Sequence, residues 1–310
     1  MAIERTRLQI RDVTFDGLAA IELVHAGIRM IVVHEVGPRI AWFGPLRGDN
    51  LLFWDAADER RRGGFHLRGG HRVWATRPVA DETAEAHLLD DGPCRIRRLR
   101  DGVAIAAPPD VDHLVKVMVV RARPGGFMID HLVTNAGDLM WTGGVWALTC
   151  TQPRRGVTYG VPLGDDGAWD VFALVIPRRW GGHTSPVADP QITLTDDCLV
   201  LRPRGHETKR MIQAPRGLIG MTDAGAGLSF VKHAAYDRSA VYPYGTNLAL
   251  YAGPDSYMVA METLGPIREV LPGETIDHGE AWTLARPIDW RAWQPHAPVP
   301  PGPRPSHLHR

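Results

Sequence analysis

The chain has 310 residues, 35 basic and 35 acidic side chains and a formal net charge of zero. No overall field recruits nucleic acid or an anionic membrane, and no run of about 18 apolar residues offers a membrane span. Three widely separated cysteines (Cys94, Cys150, Cys198) with no CxxC or Cys/His cluster give no zinc signature, and a chain of this length needs no disulfide staple.

At the N-terminus, Met1–Leu8 carries charges without an apolar stretch, so no secretory signal is expected and a soluble, cytoplasmic protein is. Ile28–His34 is the first short β-branched run bounded by turn formers, the signature of a strand. Arg95–Arg100 alternates basic and apolar residues and reads as a solvated strand face. Val115–Arg121 and Gly126–Val133 follow, joined by the turn signal Arg123-Pro-Gly-Gly126. Asn135–Gly137, Gly164–Gly167 and Ala214–Gly217 are further turns. Gln191–Thr195, Leu248–Tyr251, Tyr257–Met261 and Glu280–Ala285 complete the strand series.

Glycine (33) and proline (25) are spread throughout, long helices tolerate neither, and no long window keeps a 3.6-residue period. These features predict an all-β chain, a large antiparallel β-sandwich over residues 1–290. A Pro-rich tail over 291–310 is set apart from function.

One acid stands out. Glu262 lies near the end of the apolar run Tyr257–Met261, before a Leu271-Pro-Gly turn and a closing strand. An unpaired carboxylate among apolar neighbours is costly to bury, so such a group either works or pairs with an arginine. Other stretches carry polar groups suited to a site. In Phe65–Trp74, His71 follows two glycines, which let the backbone approach a neighbour closely, and Arg72, Trp74 and Arg77 come next. Arg178–His183 reads as a loop, either rim or inert. Ser229–His233 ends a strand with Lys232, and Tyr242 and Tyr244 cluster with Asn247. Gly-x-Ser-x-Gly, phosphate-loop and His-Glu-x-x-His motifs are absent.

In order, Gly37-Pro-Arg39-Ile with Asn50-Leu-Leu-Phe53, the Gly69-Gly70-His71 segment, Asp130–Asn135 and the Glu262 segment resemble the galactose mutarotase (aldose 1-epimerase) superfamily. The resemblance covers the chain to about Trp290. It implies a supersandwich fold and a carbohydrate substrate; no cofactor is expected, no metal-binding residue is assigned, and metal dependence is open. It also implies that Glu262 is the catalytic base in a final hairpin and His71 an acid or orienting group. Arg39, Arg72, Trp74, Arg77, Lys232, Tyr242 and Tyr244 would contact the sugar. The superfamily's second histidine has no counterpart in Trp141–Cys150, where Trp146 or Thr149 stands nearby and His71, His183 and Lys232 remain as substitute acids. Three functions are therefore open: an aldose 1-epimerase-like enzyme, a non-catalytic carbohydrate-binding protein, and a polysaccharide lyase or hydrolase in which Arg39, Arg72 and Arg77 neutralise a uronate.

Overall fold

Strands rather than helices form because the apolar residues alternate, so one face of each segment can be buried while its backbone pairs laterally. Among the described residues of the computed structural model (7–59, 66–78, 90–164, 167, 169 and 171–293) there are 23 strands and no α-helix. The strands form two large sheets and a small ribbon.

The first sheet runs β1 (Gln9–Phe15), β2 (Leu18–His25), β3 (Ile28–Val33), β4 (Arg39–Pro45), β5 (His71–Thr76), β10 (Trp141–Thr151), β21 (Val259–Leu264), β20 (Leu248–Ala252), β17 (Thr208–Gln213) and β12 (Ala173–Val175). β22 (Arg268–Val270) pairs with the start of β10. The second sheet runs β15 (Ile192–Leu194), β16 (Cys198–Leu201), β11 (Val157–Pro162), β18 (Leu218–Asp223), β19 (Leu228–Ala234), β23 (Thr275–Ala285), β9 (Gly126–Asn135), β8 (Leu114–Arg123), β7 (Gly102–Ala106) and β6 (Arg95–Arg98). β13 (Arg179–Trp180) and β14 (His183–Thr184) make the ribbon. Pairing is antiparallel in both sheets.

Each expected strand overlaps one of this set, although Tyr257 and Met258 precede β21 and Gln191 and Thr195 flank β15. Val115–Arg121 and Gly126–Val133 become the β8–β9 hairpin, and the basic run forms the edge strand β6. The closing segment differs from expectation. β21 and β23 do not pair with each other: β21 lies between β10 and β20 in the first sheet, and β23 between β19 and β9 in the second. The Leu271-Pro-Gly turn therefore belongs to a crossover between sheets, and the hairpin that carries Glu262 is the one β21 makes with the preceding strand β20, not a final hairpin with β23.

The inner faces of the two sheets interlock through aromatic rings. Phe43 on β4 meets Phe230 on β19 at 4.7 Å and Trp282 on β23 at 5.0 Å between centroids. The chain remains packed past the boundary expected at residue 290. Trp290 and Trp293 stack at 5.7 Å and cover β11 and β18 where side chains are absent. A Cβ on Gly160 or Gly220 would lie 2.1 or 2.7 Å from the Trp290 indole.

Candidate functional site

In the central strands of the first sheet, period-2 alternation sends neighbouring residues to opposite faces. On β10, Trp146 and Leu148 face outward while Val145 and Thr149 face the second sheet; on β21, Glu262 and Leu264 face outward while Met261 and Thr263 face inward. Register then assembles the outer face, because Leu148 lies opposite Glu262, Glu262 opposite Ala249, and Ala249 opposite Met211.

Glu262 is only 2 % exposed. Its Oε2 accepts from the Trp146 indole Nε1–H at 3.0 Å and lies 3.4 Å from the Lys209 ammonium on β17. Lys209 Nζ also stands 4.5 Å from the Trp146 ring centroid and 5.8 Å from that of Trp180. The carboxylate is thus buried as half of an ion pair, the only condition under which burying such a charge is tolerable.

Above this pair opens a cleft of about 460 Å³, lined by Thr76, Trp146, Val175, Lys209, Met211 and Leu264 from the sheet, by Ile176–Gly181 (apart from Arg178), and by Pro243 and Tyr244. Its size falls within the roughly 300–1,000 Å³ of small-molecule sites. Trp180 is fixed from outside: it stacks on His183 at 5.3 Å, His183 Nδ1–H donates to Glu207 at 2.7 Å, and Tyr251 O–H donates to the same carboxylate at 2.8 Å. Burial pushes the Glu207 acid up, but these hydrogen bonds outweigh it and leave the acid below its usual range. Flat apolar rings beside a cation and an anion suit a ligand with C–H faces and several hydroxyls.

Of the residues singled out in the sequence, Tyr244 lines the cleft, Glu262 lies beneath it, and Trp74 packs edge-on against Trp146 at 5.5 Å. Arg39 and Arg72 are almost fully buried and serve a different purpose. Arg72 Nη1 and Trp74 Nε1 donate to Asp90 Oδ2 at 2.9 and 3.0 Å, and Arg39 Nη2 donates to the Asp90 carbonyl at 3.0 Å. Both guanidiniums also reach the Leu67 carbonyl. Burial, with repulsion from Arg72, lowers Arg39 to about 10. They tie the Leu67–Gly70 segment and Asp90 to the sheet. Arg77 is exposed and pairs with Asp112 at 2.8 Å, so the three arginines do not gather in the cleft to neutralise a carboxylate. Tyr242 stacks on Tyr236 and accepts from the Asp237 N–H, supporting the turn that carries Tyr244.

His71 and Lys232 lie on the opposite side of the sheet from Glu262. His71 points into the space between the sheets, where its Nδ1 meets Thr149 Oγ1 at 2.9 Å and its Nε2 meets His131 Nε2 at 2.7 Å. The structure thus does not bring His71 to the cleft. Alternation alone requires this: Arg72 and Trp74 face outward, so His71 and Val73 face inward. The glycines before it serve chain packing, since a Cβ on Gly69 or Gly70 would fall 2.3 Å from the Phe53 carbonyl or 2.4 Å from that of Ile40, and both adopt positive φ.

Lys209 is a site residue the sequence did not single out, whereas Trp146 stood near the place of the absent histidine and Trp180 belongs to the Arg178–His183 loop, whose rim alternative is the one that fits the cleft. Alternation within Thr208–Gln213 puts Lys209 and Met211 on one face, a legible signal. Which sheet that face belongs to is not local information.

No family model matches the chain, and no curated protein matches it. Solved structures do. A protein of Escherichia coli K12 named as a candidate aldose 1-epimerase superposes with a TM-score of 0.61 at 9 % identity, over 90 % of this chain and 99 % of that one. A galactose mutarotase-like protein of Clostridium acetobutylicum gives 0.58 at 9 %, over 90 % and 99 %. A galactose mutarotase related enzyme of Lactobacillus acidophilus gives 0.55 at 8 %, over 91 % and 99 %. At these identities the likeness establishes the galactose mutarotase-like β-sandwich fold and nothing finer.

Proposed function

We propose that the protein is a carbohydrate-active enzyme of the aldose 1-epimerase type, acting at the anomeric centre of a sugar seated in the cleft, with Glu262 as base. One observation carries this reading: a carboxylate buried on the outer face of the central strands, gripped by Trp146 and Lys209, directly under an aromatic-walled cleft.

Opening a pyranose requires removal of the anomeric hydroxyl proton and protonation of the ring oxygen. Both oxygens are bonded to the same carbon, so a base and an acid in contact with each other can serve them together. Glu262 takes the hydroxyl proton. Lys209, whose ammonium lines the cleft 3.4 Å from that carboxylate, supplies the proton to the ring oxygen, the task for which no histidine is present in Trp141–Cys150. Rotation about the bond from C1 to C2 and the reverse transfers close the ring as the other anomer. Trp146 and Trp180 present flat faces to the sugar C–H bonds and keep water from the opened aldehyde.

The test is anomer exchange followed by proton exchange spectroscopy, on a panel of neutral aldoses, uronic acids and sugar phosphates with catalytic amounts of protein. Glu262→Gln keeps shape and removes the base, and should slow exchange by about 100-fold or more. Full exchange with Glu262→Gln rejects the assignment. A binding-only function is favoured by a different observation, the direct contact in which Glu262 and Lys209 already satisfy each other. It predicts sugar-induced shifts in protein signals with no acceleration of anomer exchange by the unaltered protein.

A further inference from the structure

We infer that the Lys232–Glu280 ion pair, buried between the two sheets, is a positioning device for Glu262. It grips β21 and β10 from behind and keeps the carboxylate on the opposite face at a fixed point under the cleft. The inference rests on the reading of Glu262 as base.

Both residues flanking Glu262 are tied to the second sheet. Before it, the Met261 carbonyl accepts from Lys232 Nζ at 3.0 Å. After it, the Thr263 hydroxyl bonds both the Glu280 carboxylate and, at 2.7 Å, His278 Nε2. On the neighbouring strand, Thr149 lies opposite Met261 and accepts from Lys232 Nζ at 2.7 Å. Lys232 and Glu280 meet at 2.9 Å, and Trp282 Nε1–H donates to the second Glu280 oxygen at 2.7 Å. The ammonium therefore has three acceptors, and both carboxylate oxygens are engaged.

The surrounding histidines leave no freedom in this arrangement. His131 Nδ1 faces the His278 carbonyl at 2.8 Å, so it carries the proton and its Nε2 is an acceptor. His71 Nε2–H donates to that acceptor, leaving His71 Nδ1 to accept from the Thr149 hydroxyl. One unbroken directional chain thus runs from Lys232 through Thr149, His71 and His131 to the His278 carbonyl. Two imidazole nitrogens and a Glu280 oxygen within 4.8 Å of one another also form the donor set of a divalent cation. The Lys232 ammonium already supplies the positive charge at that carboxylate, and the two imidazole nitrogens are occupied with each other.

A buried ion pair is a poor source of stability, because apolar residues of similar volume serve as well or better. Its presence directly behind one side chain points to position rather than to stability. Misplacing a reacting group by about 1 Å costs around 100-fold in rate.

The experiment compares Thr263→Val, which removes the hydroxyl link, with Thr263→Ser, which keeps it. The paired change Lys232→Met with Glu280→Gln serves as a second route should the valine variant not fold. Three quantities are read: KM, kcat for anomer exchange, and the indole N–H resonance of Trp146, assigned by its loss in Trp146→Phe. Thr263→Val should fold, keep KM within about twofold, lose about 10- to 100-fold in kcat and move the Trp146 resonance, with Thr263→Ser near the unaltered protein. Unchanged kcat and an unmoved resonance in Thr263→Val overturn the inference. Glu262→Gln separates the two ideas. An inactive glutamine variant beside a fully active Thr263→Val removes only the positioning role, while an active glutamine variant removes the base. Should no sugar turn over, the Trp146 resonance decides alone.

Discussion

Lowering the pH from about 7 to 5 should cost this protein far more stability than its surface charges explain, because histidines sit where a charge is hard to place. His71, His131 and His278 lie between the sheets and His233 is half-buried. Burial lowers all four, His71 well below its ordinary value and His278 to about 3. An unfolded histidine titrates near 6.5. Below that pH the unfolded chain binds protons that the folded chain refuses, so the stability is complete above about 6.5 and is lost as the pH falls toward the folded values. His71 and His278, the two moved furthest, each contribute about 1.4 kcal/mol per pH unit in that window, about 2.8 kcal/mol per unit together, and His131 and His233 act in the same direction. Glu280 adds to the loss at lower pH. Burial pushes its acid up, but Lys232 and the imidazoles outweigh this and keep it well below the usual carboxylate range. Against a typical total of about 5–15 kcal/mol, unfolding should come roughly two units or more below pH 6.5. Urea unfolding followed by tryptophan fluorescence at several pH values measures the slope, and His278→Gln should reduce it by about 1.4 kcal/mol per unit. A slope between pH 6.5 and 5 below that of a single proton would refute the reasoning.

Other outcomes follow from particular contacts. Trp180→Ala removes a cleft wall and should raise KM about tenfold while kcat is kept, a split that exchange spectroscopy resolves. Lys209→Met strands the buried Glu262 carboxylate and should destabilise by about 3–5 kcal/mol; adding Glu262→Gln should recover most of this, which a double-mutant cycle in urea would establish. Asp90→Ala leaves Arg39 and Arg72 buried without their shared carboxylate and should cost a similar amount, read as a fall in the urea midpoint. Gly160→Ala drives a methyl into the Trp290 indole and should cost about 1–3 kcal/mol, with Trp290 becoming accessible to a fluorescence quencher.

The all-β class and the strand positions were legible because alternation, β-branched runs and turn residues are local properties. Val115–Arg121 and Gly126–Val133 lie within the hairpin observed. Glu262 stood out for a local reason as well, a carboxylate in an apolar run. His71 was placed beside it because spacing along the chain says nothing about faces: one residue decides whether a side chain looks toward the cleft or between the sheets, and Arg72 took the outward position. The turn after Glu262 looked like a hairpin turn because a hairpin and a crossover between sheets carry the same turn residues.

Sequence alone determined what kind of sheet this chain builds, since backbone preference and alternation act over a few residues. Tertiary structure alone decided which charges meet. Lys209 reaches Glu262 from 53 positions away, and Lys232 reaches Glu280 from 48, measured by their residue numbers. The physical reason is that an ion pair depends on a separation of a few ångströms, which here is set by strand register, the gap between two sheets and the face each side chain occupies, none of which is written in neighbouring residues.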